Sequence, residues 1–218
     1  MEKDLKDFKR SYVEVYWLHL PTDIEEHLAE IVELYKEGKI KHVGISNFTL
    51  NECKRSKAFL EKHGIPLYGV QNHYSLVCRD WEKNGLLEWC KENGILFWGW
   101  AVLEEGLLTD PRLRKKSPIK FVFNRQVRKL TPLYKVMIRV AKRHDVKVPQ
   151  VAMAYCTAKG VIPMCGCRKP EQVKDLAEAV QVKLTDEEIR RLETVADEAK
   201  VKIMGPDLFR PFVLKERR

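Results

Sequence analysis

The sequence predicts an α/β protein built on a parallel sheet, on three observations. Short runs rich in β-branched and aromatic residues alternate with segments of helical periodicity along the whole chain. No hairpin signal joins one such run to the next, so the strands must be connected by crossovers. Polar residues gather where each run ends, and in parallel α/β proteins ligands lie at the carboxyl ends of the strands.

The elements follow in order. Residues 2–10 read as the end of a helix with Leu5 and Phe8 on its apolar edge. Val13–Leu20, VEVYWLHL, reads as a strand with His19 near its carboxyl end, stopped by Pro21. Thr22 and Glu25 have capping-box spacing, and Ile24, Leu28, Ile31 and Leu34 continue at helical intervals. Gly38 can take the left-handed conformation that ends a helix. The stretch Gly38–Phe48, GKIKHVGISNF, then supplies a strand over 40–46, with Gly44 leaving room for close backbone packing and Ser46 and Asn47 at its exit. Thr49 with Glu52 forms a second capping box and opens a helix through Phe59. Leu67–His73 is the next strand, leaving through Gln71, Asn72, His73 and Tyr74. Asp80 starts a helix carrying Leu86, Leu87 and Cys90, stopped at Asn93-Gly94. Residues 95–103, ILFWGWAVL, form a strand leaving through Glu104, Glu105 and Gly106. After an excursion over 107–131 come helices at 133–144 and from Pro149 to Lys159, a strand at Val161–Cys165 and a helix at Pro170–Val180. A third capping box, Thr185 with Glu188, opens the last helix through Ala196, and the tail is irregular. Five strands result: 13–20, 40–46, 67–73, 95–103 and 161–165.

Bulk properties narrow the class. The chain has 218 residues, 44% hydrophobic and 33% charged, as in a soluble globular protein. No apolar run approaches the roughly 20 residues of a membrane helix. The start, MEKDLKDFKR, is charged and lacks a signal-peptide core, so a cytoplasmic location is expected. The six cysteines, Cys53, Cys78, Cys90, Cys156, Cys165 and Cys167, contain no C-x-x-C pair, which favours reduced, mostly buried thiols over a metal site. The net charge is +9, and residues 112–129 hold eight basic residues and no acidic one. Nucleic acid, a phosphate-bearing cofactor or a solvated face would each suit that run, but no recognition motif accompanies it, which argues against nucleic acid. No G-x-G-x-x-G or G-x-x-x-x-G-K-[ST] occurs, so a Rossmann or P-loop site has no support.

Five motifs in order nevertheless resemble the aldo-keto reductases, (β/α)8-barrel oxidoreductases that use NADPH or NADH. They are WLHLP at Trp17–Pro21, GKIKHVGISNF, VQNHYS at Val70–Ser75, WCKENGI at Trp89–Ile95 with the strand after it, and Gly166-x-Arg168 followed by Pro170-Glu171-Gln172. The resemblance covers nearly the whole chain. It implies that His19 orients and polarises a substrate carbonyl. It implies that Ser46, Asn47 and Gln71 bond the nicotinamide carboxamide and that Trp100, where the family usually has Tyr, stacks on the ring. Ala101 and Leu103 match backbone positions under the pyrophosphate, and Gly166, Arg168, Gln172 and Asp175 match the adenosine-phosphate region. Leu176 stands where an adenine-bonding Asn is common, and Cys167 where Ser or Thr is common.

By that resemblance the chain is expected to be an incomplete TIM barrel with about five of eight β/α units, a single domain over 1–218 with an irregular tail at 203–218. The units before the family's fourth strand, which carry its catalytic Tyr, Lys and Asp, have no match. The expected function is NAD(P)H-dependent reduction of aldehydes or ketones to alcohols by hydride transfer. Ketone reduction also needs a tuned proton donor, so this chain alone is expected to be inactive. The alternative is a catalytically inactive cofactor-binding or interaction module. The expected partner is a small carbonyl substrate, with no membrane. Open sheet edges would favour self-association, because five strands cannot close such a barrel. Among the tyrosines only Tyr74, at a strand exit, suggests itself as a substitute acid.

Overall fold

The computed structural model describes residues 1–111 and 128–201. Most of the basic run, 112–127, and the tail from 202 lie outside the described residues. The elements are α1 (Glu2–Asp7), β1 (Val13–Leu18), α2 (Ile24–Lys36), β2 (Ile40–Ser46), α3 (Leu50–Lys62), β3 (Leu67–His73), α4 (Asp80–Lys83), α5 (Leu86–Glu92), β4 (Leu96–Trp100), α6 (Thr131–Arg143), α7 (Val148–Ala158), β5 (Val161–Pro163), α8 (Pro170–Ala179) and α9 (Asp186–Glu198). The five strands form one parallel sheet in the order β1-β2-β3-β4-β5. Each strand therefore pairs with its sequence neighbour, the winding of a (β/α) barrel and not of a doubly wound sheet. Register is parallel from Val13 opposite Ile40 to Leu18 opposite Ile45, and Ser46 sits opposite Gln71. One device recurs at four helix-to-strand turns: Gly38, Gly64, Gly94 and Gly160 all have φ between 66° and 78° and lead into β2, β3, β4 and β5.

The described residues fall into two compact units, one of residues 1–72 with 81–98, the other of residues 73–80 with those from Gly99 on. In the first unit α2 packs on β2 and α3, burying Leu28, Ile31 and Val32 beside Val43 and Ile45. A layer of four residues crosses one face of its strands. Trp17 of β1 lies over Gly44 of β2, and its indole meets Trp98 of β4 edge to face at 5.9 Å and 74°. A Cβ on Gly44 would fall 2.4 Å from the Trp17 ring, and one on Gly69 of β3 would fall 3.2 Å from it. Gly44 thus makes room for an indole ring, whereas the sequence suggested a backbone neighbour.

Two local expectations are corrected. Thr22 and Glu25 form no capping box: Asp23 is the N-cap, and Glu25 instead accepts from Arg55 of α3 at 2.6 Å. The helix expected from Asp80 through Cys90 is two helices, because Gly85 takes φ 83° and Asn84 Oδ1 accepts from the Leu86 amide at 3.1 Å. Thr49 and Thr185 do form their boxes, with the Thr49 amide donating to Glu52 at 2.7 Å and the Thr185 amide to Glu188 at 3.0 Å.

In the second unit α7 is buried nearly all round, packed by α6, α8 and β5, while α9 lies on α6. Glu188 in the first turn of α9 is buried and also accepts from Arg143 at 3.0 Å and His144 at 2.9 Å. Burial works to raise its carboxyl, but the Thr185 amide and the His144 and Arg143 side chains together hold it below its ordinary value. A carboxyl lowered by folding stabilises the protein above its unfolded pKa, about 4.3, and that contribution is lost as pH falls through the folded value. On acidification from about pH 6 to about pH 3, the Tm of the wild type is expected to fall further than that of Glu188→Gln, as a pH series of thermal melts would show. Equal slopes would mean that Glu188 is not linked to stability.

Candidate cofactor site

Four of the strand-exit residues singled out from the sequence come together in the first unit. His19 follows β1 directly and is exposed. Ser46 is fully buried, and its hydroxyl donates to the Gln71 carbonyl at 2.8 Å. Asn47 takes φ 66°; its backbone amide also donates to the Gln71 carbonyl at 3.0 Å, and its side-chain amide donates to the His19 carbonyl at 3.1 Å and to Ser46 Oγ at 3.2 Å. The Ser46 proton is therefore used within the protein, and its oxygen acts as an acceptor. The exits of β1, β2 and β3 are tied by these bonds into one polar patch.

A residue the sequence showed only as strand-exit polarity holds that patch in place. Asn72 is buried and clasps the backbone of Phe48, donating to its carbonyl at 2.8 Å and accepting from its amide at 3.2 Å. This amide fixes the turn that carries Asn47. Asn72→Ala strips both partners from buried backbone groups, so it is expected to cost about 2 kcal/mol in urea unfolding. A cost within about 0.5 kcal/mol would show that water replaces the clasp.

In the second unit Trp100 ends β4 and stacks on His73 with ring centroids 4.5 Å apart and planes 18° apart. His73 is buried, with Nε2 bonded to Glu104 Oε1 at 2.9 Å and Nδ1 facing Cys78 Sγ at 3.6 Å. Ser75 Oγ donates to the same Glu104 oxygen. The chain beyond Trp100 is unusually bent: Ala101, Glu104 and Glu105 have φ of 56°, 47° and 53°, conformations that L residues seldom adopt. Such backbone collects at ligand-binding turns. Tyr74 is fully buried, with no exposed surface, so it cannot meet a substrate as an acid.

The same unit contains a cavity of about 800 Å³. It gathers Leu103, expected from the resemblance under the pyrophosphate, with Gly166, Gln172 and Asp175, expected in the adenosine-phosphate region, and Leu176. Ala101 and Arg168 do not line it. Arg168 is exposed, and its backbone amide donates to Gln172 Oε1 at 2.7 Å. Both carboxylate oxygens of Asp175 accept from Lys147 Nζ, at 2.6 and 2.8 Å, and its backbone carbonyl accepts from Gln150 Nε2 at 2.8 Å. The sequence missed the contribution of the α6–α7 junction, which brings Lys142, Lys147 and Val148 to the lining. Nothing in their spacing marks them, since they meet α8 only in three dimensions. Apolar Ile138, Val148 and Leu176 suit a purine face, Lys142 suits phosphate charge while Lys147 is paired with Asp175, and a Cβ on Gly166 would find nothing within 4 Å. The lining fits a phosphorylated nucleotide.

Comparison with known proteins gives the family of the chain. The model of the aldo/keto reductase family matches residues 1–197. The chain is 30% identical over 172 residues to the chloroplastic pyridoxal reductase of Arabidopsis thaliana, covering 78% of this chain and 47% of that protein. It is 30% identical over 203 residues to an aryl-alcohol dehydrogenase of Pestalotiopsis microspora, covering 88% and 52%. The glycerol dehydrogenase of Gluconobacter oxydans shares the fold, with a TM-score of 0.79 at 24% identity over 91% of this chain and 63% of that one. The chain spans about half the length of these two relatives. Among the described residues no helix is long and apolar enough to cross a membrane. With the family model matching nearly the whole chain, and the parallel strand order in agreement, this protein belongs to the aldo/keto reductase family.

Proposed function

We propose that this chain serves the NAD(P)H-dependent reduction of aldehydes or ketones to alcohols, and that 1–218 acts as one aldo-keto reductase-like domain. The observation that carries the reading is the cavity that gathers Leu103, Gly166, Gln172 and Asp175 in a chain of this family. Gln172 and Asp175 hold the adenosine end, with Lys142 supplying positive charge and the Gly166 and Cys167 backbone supplying amides. In the first unit Ser46, Asn47 and Gln71 offer bonds to a carboxamide; in the second, Trp100 offers its ring for stacking. The bound dinucleotide supplies the hydride. His19 donates to and polarises the substrate carbonyl. The proton donor of the family has no counterpart in the matched motifs, and Tyr74 is buried, so this chain alone is expected to bind the cofactor without turning over.

Titration with NADPH is expected to quench tryptophan fluorescence saturably, because Trp100 lies at the proposed site. Absence of quenching at millimolar cofactor would sink the binding reading. Aldehyde-dependent oxidation of NADPH by the purified chain would sink the expectation of inactivity. The burial of Tyr74 also favours the second reading, a catalytically inactive binding or interaction module, which predicts cofactor binding with no turnover even when the missing units are supplied in trans.

A further inference from the structure

The loop between β5 and α8 carries two thiols on either side of one glycine: Cys165, Gly166 and Cys167. Cys167 is exposed, while Cys165 is half-buried and lines the cavity. The other four cysteines are buried. Burial pushes the Cys53 thiol well above its ordinary value and that of Cys90 up to about 12, so these side chains are poor nucleophiles. The thiol of Cys165 is raised by burial and then by the nearness of Cys167, which places the two sulfurs within each other's influence.

Gly166 has no packing reason to be glycine, since a Cβ there would meet nothing within 4 Å, and its φ is not left-handed. A glycine at this point does allow the loop to bend. Residues two apart in an extended chain have Cα atoms about 7 Å apart. A disulfide needs about 4.4–6.8 Å, so a modest bend at Gly166 suffices. Beyond Cys167 the chain is pinned: the amides of Arg168 and Lys169 both donate to Gln172 Oε1, at 2.7 and 3.2 Å. A contraction across Cys165–Cys167 must therefore be absorbed at Cys165 and Gly166, which are the two loop residues that line the cavity.

We propose that Cys165 and Cys167 are a redox modification site: hydrogen peroxide converts them to an intraloop disulfide that reshapes the cavity wall and weakens nucleotide binding. The exposed Cys167 thiolate attacks the peroxide, the O–O bond breaks, and sulfenic acid forms on Cys167 as water is released. Cys165 sulfur then attacks the Cys167 sulfur, the S–O bond breaks, and a second water leaves with the Cys165 proton. The two thiols lose two electrons and two protons, and hydrogen peroxide becomes two waters. The effect on binding rests on the cofactor reading above; the disulfide does not.

The test uses the full chain, reduced, then treated with hydrogen peroxide, alkylated with N-ethylmaleimide and digested with trypsin. Peptide 160–168, which holds both cysteines, is expected to escape alkylation and to be lighter by two hydrogens, and dithiothreitol is expected to restore both thiols. Cys167→Ser is expected to leave Cys165 alkylatable after the same treatment. Fluorescence titration with NADPH is expected to give a Kd about tenfold higher for the oxidised chain. The proposal falls if both thiols remain alkylatable, if Cys167 proceeds to sulfinic acid, or if the disulfide links two chains. It also falls if the intraloop disulfide forms and the Kd does not change. A reduced chain that binds no NADPH would remove the cofactor reading while leaving the disulfide to stand or fall on the mass alone.

Discussion

Gly44→Ala is expected to destabilise the protein by about 3 kcal/mol, at the upper end of what overpacking costs. The added methyl would sit 2.4 to 2.5 Å from two carbons of the Trp17 ring, a separation no packed pair tolerates. Relief would have to come from the indole, and the indole is held. It meets Trp98 edge to face at 5.9 Å, and its far edge lies 3.2 Å from where a Cβ of Gly69 would be. Trp17 can move away from Gly44 only by giving up those contacts, and aromatic pairs contribute roughly 0.5–1.5 kcal/mol beyond area burial. The left-handed conformation is not the issue, since Gly44 does not adopt it. The clash with Trp17 is specific, so it can be removed. Trp17→Leu in the Gly44→Ala background should be less destabilising than the two single changes added together, a coupling that a double-mutant cycle in urea measures. An unfolding free energy for Gly44→Ala within about 0.5 kcal/mol of wild type would mean that the indole moves freely.

The same glycine shows where sequence reading stops. That residues 40–46 form a strand was legible from Ile40, Val43 and Ile45, and so were the other four strands, each preceded or followed by a helix-ending glycine or a polar exit. What Gly44 faces was not, because Trp17 is 27 residues away and only the parallel register brings it over the glycine. The failed capping box at Thr22 has the same cause. Arg55, 30 residues further on, takes the Glu25 carboxylate that the local pattern assigned to the helix start. The break at Gly85 was legible in principle, since Asn84-Gly85 is as strong a turn signal as the Asn93-Gly94 that ends α5. At the candidate site, His19, Ser46, Asn47 and Gln71 were legible as strand-exit residues because strand exits are defined by local pattern. The lysines of the cavity were not, because they enter from another helix junction.

Glu104→Leu is expected to be as damaging as the change at Gly44, about 3 kcal/mol, by a different route. Glu104, His73 and Ser75 are all buried, and one carboxylate oxygen accepts from both His73 Nε2 and Ser75 Oγ. Leucine fills the volume but removes the acceptor shared by two buried donors, each loss worth about 1–3 kcal/mol. Glycine separates the two roles of this position. Glu104 has φ 47°, which costs an L residue roughly 1–2 kcal/mol and glycine almost nothing, so Glu104→Gly regains backbone strain while losing the same acceptor. Glutamine keeps one acceptor oxygen and should be mildest. The expected order of stability is wild type, then Gln, then Gly, then Leu, read from urea midpoints with unchanged slopes. Stability of the Gly variant equal to or above wild type would show that the strain outweighs the carboxylate network. A second readout tests why such a costly arrangement sits at this turn. The His73 ring that Glu104 fixes lies 4.5 Å from Trp100 in a stacked pair, so the Leu variant should free that indole and shift its fluorescence to longer wavelength. It should also weaken NADPH binding by more than the Gln variant does. An unchanged emission maximum with a large loss of stability would reduce Glu104 to a packing role and leave Trp100 positioned by its own strand.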